Sequence, residues 1–445
     1  MWLVTLLVLA VGFIIFATAK LKMHAFLALL LTAFGFGILA GMPLDVVVKS
    51  VNDGFGSTIG SIGIVIVLGS VIGTFLEKSG GAWRLAEGIL KATGKKNVPL
   101  TMSIMGYVVS IPVFCDSGFV ILSSLNKALA KRAGISLAAG AIALSLGLYT
   151  THTMVPPTPG PIAAAGILQA DLGLVILWGM IIAAVACVAG WIWAVTVAAK
   201  EDVPPYKEGE EPAALPSLED APSPLPSLLP IFLPIFLIVV KSLSDFPSHP
   251  FGTGVFAQVL SFIGQPVVAL LIGFAFALFL PKKLEKGILG NDGWFGKAVI
   301  DSAIIITITG AGGSFGKVLQ NSGIAKLVGE GLSTWHLGIF LPFLIAAGIK
   351  TAQGSSTVAI ITTAGLMAPL MAPLGFDDPT ARALIVVAIG AGSMVVSHAN
   401  DSFFWVVTQF SNMTPEQGYK LQTMGTLFQG VVAAIAVFVA ATIML

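Results

Sequence analysis

Charge is what this chain has least of. Of its 445 residues only 10% are Asp, Glu, Lys or Arg, whereas 56% are hydrophobic, and the mean hydropathy is +0.95. So few charges cannot cover the surface of a soluble domain, which leaves a polytopic helical membrane protein. A net charge of +1 provides no basic field for a nucleic-acid partner. The two cysteines, Cys115 and Cys187, sit in apolar surroundings and suggest neither a disulfide framework nor a metal cluster; no cofactor is expected. Enzyme signatures are also missing. "GAGGSFG" from Gly310 echoes a phosphate loop, but no lysine-serine pair follows, and close helix packing explains it better. Apolar stretches of roughly 18 residues or more favour helices over a barrel. What the chain has in quantity is glycine (50) and proline (25), compatible with close packing and broken helices.

It also has a repeat. "GSVIGTFLEKSGGAWRLAEGI" from Gly69 returns as "GGSFGKVLQNSGIAKLVGEGL" from Gly312, so that Gly69, Gly73, Ser79 and Gly80 fall on Gly312, Gly316, Ser322 and Gly323. "NDGFG" at Asn52 likewise returns as "NDGWFG" at Asn291. Internal duplication is a mark of secondary transporters, which place substrate between the repeats. The first half covers residues 1–199 and the second 228–445. Residues 200–227 between them are acidic and proline-rich and read as a solvated linker.

Spans are expected near 2–19, 25–42, 59–77, 136–170 and 173–199, then 228–246, 257–281, 297–320, 383–409 and 423–445. Ala17-Thr18-Ala19 mimics a signal-peptide cleavage site, but no basic segment precedes it, and the first stretch reads as a retained helix. Two apolar stretches, about 98–130 and 336–373, are too long for one crossing. They are interrupted by "PVFCDSG" and "KTAQGSST". Each reads as a re-entrant hairpin with a polar tip inside the membrane; two ordinary spans joined by a tight turn is the plainer alternative. Counting hairpins as returning to their own side leaves five crossings per half, and an odd number makes the repeat inverted. Lysines and arginines crowd one side, among them Lys20, Lys22, Lys78, Lys131, Lys282, Lys283 and Lys286. By the positive-inside rule that side is cytoplasmic, the linker is cytoplasmic, and both termini are periplasmic.

Polar residues gather at the interruptions. The first tip holds Cys115, Asp116, Ser117 and Gly118, and the following helix breaks at "TTHTMVPPTPGP", with Thr151 and His152. The second tip holds Gln353, Gly354, Ser355, Ser356 and Thr357, followed by a break at "SHANDS", with His398, Asn400 and Asp401. A half-helix N-terminus offers free N–H groups and a positive dipole end, hydroxyls add neutral donors, and Lys350 could add fixed charge. Together these suit a small carboxylate. Asp116, Asp401, His152 and His398 are the candidates for carrying a coupling proton, because ionisable groups at membrane depth are costly. The bland alternatives are helix caps for the acids, buried neutral bridges for the histidines, and a structural pair for Lys350. Asp45, Asp53 and Asp292 read as caps, and Gly73 and Gly316 as packing positions.

"LKMHAFLALLL", "HTMVPPTPGP", "GSSTVAIITTAG" and "SHANDSFFW" together resemble the gluconate permease family of bacterial inner-membrane symporters, over nearly the whole chain outside the linker. The resemblance implies proton-coupled uptake of gluconate or a related sugar acid. The chain is also similar to the wider ion-transporter superfamily, which implies a dimer with scaffold and transport domains and elevator-like movement. Carried over by position, its site is Asp116, Ser117, Thr151, His152, Ser355, Ser356, Thr357, His398, Asn400 and Asp401. This chain departs from the family in having Asp116 where a glutamate is usual and Thr158 where a histidine is frequent. A sodium-coupled carboxylate symporter on the same architecture, with sodium at Ser117, Asn400 and Asp401, is the runner-up. A passive channel or a membrane hydrolase pairing His152 with Ser117 is the more distant alternative.

Overall fold

The computed structural model describes residues 2–93, 97–206, 221–244, 251–323, 338–398 and 401–445. Among them there are helices and no strands. The first half is built from α1 (Trp2–Ala19), α2 (Ala25–Leu39), α3 (Leu44–Lys78), α4 (Gly81–Thr93), α5 (Val98–Val109), α6 (Cys115–Ala133), α7 (Leu137–Met154), α8 (Pro159–Leu168) and α9 (Leu172–Thr196). The second contains α10 (Pro224–Ser244), α11 (Val255–Ile263), α12 (Pro266–Ala277), α13 (Trp294–Asn321), α14 (Phe340–Gln353), α15 (Ser356–Met367), α16 (Pro379–Ser393), α17 (Ser402–Phe410) and α18 (Pro415–Met444), with a π turn at Tyr419–Thr423. The second copy of the repeat runs out of the described residues after Gly323, and the middle of the linker and Asn400 also lie outside them.

Few helices cross a membrane unaided. Leu172–Lys200, Pro224–Lys241, Trp294–Asn321 and Pro415–Met444 are long and apolar enough alone. Several others, α5, α8, α12, α14 and α15 among them, are only 10 to 14 residues long, and membranes tolerate such pieces only where other protein covers the broken backbone. Both long apolar stretches are split: α5 and α6 meet around Ser110–Phe114, and α14 and α15 meet at Gly354–Ser355. Gly354 makes the second turn in the left-handed region (φ +92°), where a side chain would be strained. Expected single spans also divide. α7 gives way to α8 across Val155–Thr158, and α16 to α17 across Met394–Asp401.

Several expectations need correction. The span expected at 257–281 is two helices bent by 66°, because Gly264 ends α11 and Pro266, lacking an N–H, starts α12. Residue 59 is not a helix start: α3 begins at Leu44 and runs through "NDGFG", bent by 43° between Gly60 and Gly63. Asp53 is therefore mid-helix and caps nothing. Asp292 precedes the actual cap of α13, Gly293; only Asp45 sits in a first turn. The linker is not solvated throughout. Its start is pinned to α7, with Val203 buried and its carbonyl accepting from Leu137 N–H at 2.9 Å.

Two bodies of helices place the site. α3 and α13 lie against each other: the Ser314 hydroxyl donates to Val51 O at 2.8 Å, and the Asn321 amide to Ser50 Oγ at 2.8 Å. α5 to α9 and α14 to α18 form the other body, tied by Ser145 Oγ to Gln422 Oε1 (2.6 Å) and by Gln429 Nε2 to the carbonyls of Leu146 and Ala186. α9 shows how the sequence sorts its faces. Gly179, Ile182, Ala183, Ala186 and Gly190 are buried, while Leu177, Ile181, Val185, Val188 and Ile192 point outward, as lipid allows. Glycines let α3 and α13 approach the hairpins. A Cβ at Gly73 would collide with the Pro112 carbonyl of the first, and one at Gly316 would lie 3.0 Å from the Gly365 carbonyl of the second. Gly73 and Gly316 are packing positions.

Candidate functional site

The two tips and the two helix breaks enclose a cavity of about 290 Å³. Its wall is Phe114, Cys115, Asp116, Tyr149, His152, Gly354, Ser355, Ser356, Thr357, Asp401, Ser402 and Phe403. That volume lies at the lower end of the roughly 300–1,000 Å³ usual for ligand sites, which favours a small ligand. A larger open cavity of about 840 Å³ beside Lys78, Lys282, Lys283 and Lys286 contains none of these residues.

Helix ends give the cavity its polarity. α6, α15 and α17 all begin on its wall, and first-turn N–H groups have no partner within their own helix. Each start is treated differently. At α15 the neutral Ser355 caps, accepting from Val358 N–H at 3.3 Å, and the Thr357 hydroxyl adds a donor without negative charge. At α6 the first turn carries Asp116, only weakly held, with the Ser402 hydroxyl at 3.4 Å and the Cys115 thiol at 3.6 Å. At α17 Asp401 is the cap, its Oδ1 accepting from Phe403 N–H at 3.0 Å.

Asp401 does more than cap. Its Oδ2 accepts from Lys350 Nζ at 2.6 Å, Ser397 Oγ at 2.5 Å and Tyr149 OH at 3.1 Å. Tyr149 also reaches Ser356 Oγ at 3.1 Å, joining this network to the second tip. A buried charge is tolerable only when paired and hydrogen-bonded, and here both conditions hold. His152 contrasts with this. It is buried, stacks on Tyr149 with the rings 9° from parallel, and its Nδ1 has no hydrogen-bond partner among the described residues. The His152 ring lines the cavity, and its buried, unpaired nitrogen is available to a ligand once the ring turns.

The structure therefore brings together Asp116, His152, Gly354, Ser355, Ser356, Thr357 and Asp401 out of the residues expected from sequence. It does not bring Lys350 to the wall: that side chain is fully buried behind Asp401. Gly118 packs against Leu148, and the Thr151 hydroxyl is buried and turned back toward the Leu148 carbonyl (3.4 Å). His398 is not the counterpart of His152 in space, since its Nε2 pairs with the Thr351 carbonyl at 2.8 Å, away from the cavity. Asn400 and the Ser117 side chain lie outside the described residues. Sequence reasoning missed Tyr149, Phe114 and Phe403. Tyr149 left a signal: it precedes His152 by three residues, one helical turn, on the same face.

Comparison with known proteins identifies the family and the fold. The profile of the GntP family permeases matches residues 1–443. A gluconate permease of Pseudomonas aeruginosa is 34% identical over 428 residues, covering 94% of this chain and 92% of that protein. An L-idonate transporter of the Gnt-II system of Escherichia coli is 32% identical over 412 residues, covering 92% and 90%. Among solved structures, the YdaH transporter of Alcanivorax borkumensis superposes with a TM-score of 0.64 at 16% identity, covering 94% of this chain and 98% of that one. At that identity the likeness is one of fold.

Proposed function

The chain belongs to the GntP family of permeases, a multi-pass membrane protein rather than an enzyme, and we propose that it imports gluconate or a closely related small hydroxycarboxylate by proton symport. The observation that carries this reading is the start of α15. Its free N–H groups and the Thr357 hydroxyl line a small cavity together with the His152 ring, whose buried Nδ1 has no partner among the described residues. The carboxylate is held at the helix start, and the sugar hydroxyls pair with His152 and the remaining donors. Relatives named for gluconate and for L-idonate support a sugar-acid substrate.

Asp116 is the coupling acid in this account. Two long, weak contacts leave its carboxyl free to gain and lose a proton, whereas Asp401 is committed to three donors at a single oxygen. A sodium site at Asp401 is disfavoured for the same reason. The remainder of the reading is architectural. The halves are inverted repeats, the α3–α13 body is a fixed scaffold within a homodimer, and the hairpin body slides past it, elevator fashion, in the lipid of the bacterial inner membrane with both termini periplasmic. Paired hairpins and paired broken helices in the two halves support the repeat, and the glycines facing Pro112 and Gly365 support a smooth sliding contact. Proteoliposomes given a pH gradient or a sodium gradient separately test the coupling. Accumulation of labelled gluconate is expected only with the pH gradient, and Asp116→Asn is expected to abolish it while sparing exchange. Accumulation with sodium alone would sink the proton reading.

A further inference from the structure

We propose that Lys350 is a tethered cation, filling from within the chain the place at the second hairpin where a diffusible ion would otherwise sit. Lys350 is 0% exposed, on the last turn of α14 just before the chain turns at Gly354. Its ammonium donates to Gly354 O at 2.5 Å and Asp401 Oδ2 at 2.6 Å, and lies 5.9 Å from the Tyr149 ring centroid. The surrounding oxygens are a carbonyl at the C-terminal end of one half-helix and a carboxylate capping another. The hydroxyls of Ser397 and Tyr149 converge on that same carboxylate. Carbonyls at half-helix C-terminal ends are the ligands with which carriers bind sodium at helix breaks.

A lysine in such a place changes the chemistry in one respect. Because the ammonium is covalently attached, its binding is intramolecular and does not depend on any ion concentration in the medium. The second tip then keeps its cavity-lining shape with or without sodium, and coupling is left to the first tip. Only that consequence for coupling rests on the transport reading given above. An ordinary structural ion pair makes a different prediction. Loss of Lys350 would then destabilise the protein, and no small cation would restore it.

The test uses the purified full-length protein in detergent without substrate, so failure of the gluconate assignment cannot affect its outcome. Thermal unfolding midpoints are compared in sodium chloride, methylammonium chloride and choline chloride at equal ionic strength. The unaltered protein should show one midpoint in all three. Lys350→Ala should be destabilised in choline and recover by several degrees, saturably, in sodium or methylammonium, the latter replacing the deleted end of the side chain. Adding Asp401→Asn should remove that recovery. The proposal is overturned if Lys350→Ala unfolds at the same midpoint in all three salts, or cannot be recovered folded in any of them. It is overturned equally if the unaltered protein is stabilised by sodium in a way that Asp401→Asn abolishes.

Discussion

Asp401→Asn should be among the most destabilising single-atom changes in this chain, because it leaves the Lys350 ammonium buried without its counter-charge. Removing one partner of a buried ion pair costs about 3–5 kcal/mol. The replacement amide still offers an acceptor to Phe403 N–H and to a hydroxyl, so the loss should fall near the lower limit, about 3 kcal/mol. That corresponds to roughly a hundredfold change in the folding equilibrium. Reversible unfolding in mixed micelles with a denaturing detergent measures it, with Asp301→Asn as the internal control. Asp301 pairs with Lys297 at 3.2 Å one helical turn away, but both side chains are about half exposed, and such pairs contribute about 0.3–0.5 kcal/mol. The double change Lys350→Met with Asp401→Asn removes both charges and should regain most of the lost stability. If Asp401→Asn were no worse than Asp301→Asn, the pair would not be dry and the account of this network would be wrong.

Two further outcomes follow from the same geometry. His152→Phe keeps the ring stacked on Tyr149 but removes both ring nitrogens, so the substrate KM should rise roughly tenfold, the worth of one good hydrogen bond, with the fold intact; an unchanged KM would remove His152 from the site. Gly316→Val puts bulk at a carbonyl that lies 3.0 Å from an added Cβ, so the transport rate should fall while equilibrium substrate binding is kept. A normal rate would argue against sliding along that contact.

Much of this fold could be read from the chain because membranes punish irregular backbone. Apolar stretches too long for one crossing had to be folded back, and their polar interruptions, "PVFCDSG" and "KTAQGSST", had to be buried in protein. Helix boundaries were harder. "NDGFG" has turn-like composition, yet it continues α3 because Gly54 is needed for contact with α13, where a Cβ would meet the Gly313 carbonyl at 2.5 Å. The tips and breaks were legible as a site, but not the roles of their residues. Local sequence places Lys350 four residues from the second tip and says nothing of Asp401, 51 residues on, which turns it away from the cavity. Nor do the two breaks reveal that His398 pairs with a backbone carbonyl while the His152 Nδ1 pairs with nothing among the described residues.

The claim on which the rest depends is that substrate occupies the cavity between the tips. Ser402 lies on its wall and is exposed, so Ser402→Cys in a chain with Cys115 and Cys187 replaced by alanine places one reactive thiol there. Its alkylation rate in proteoliposomes, with and without gluconate, measures occupancy directly. At about a hundredfold excess over the dissociation constant only about 1% of sites stay empty, so the rate should fall by up to two orders of magnitude, and glucose, which lacks the carboxylate, should not slow it. An alkylation rate indifferent to saturating gluconate, in a variant that still transports it, would contradict the account.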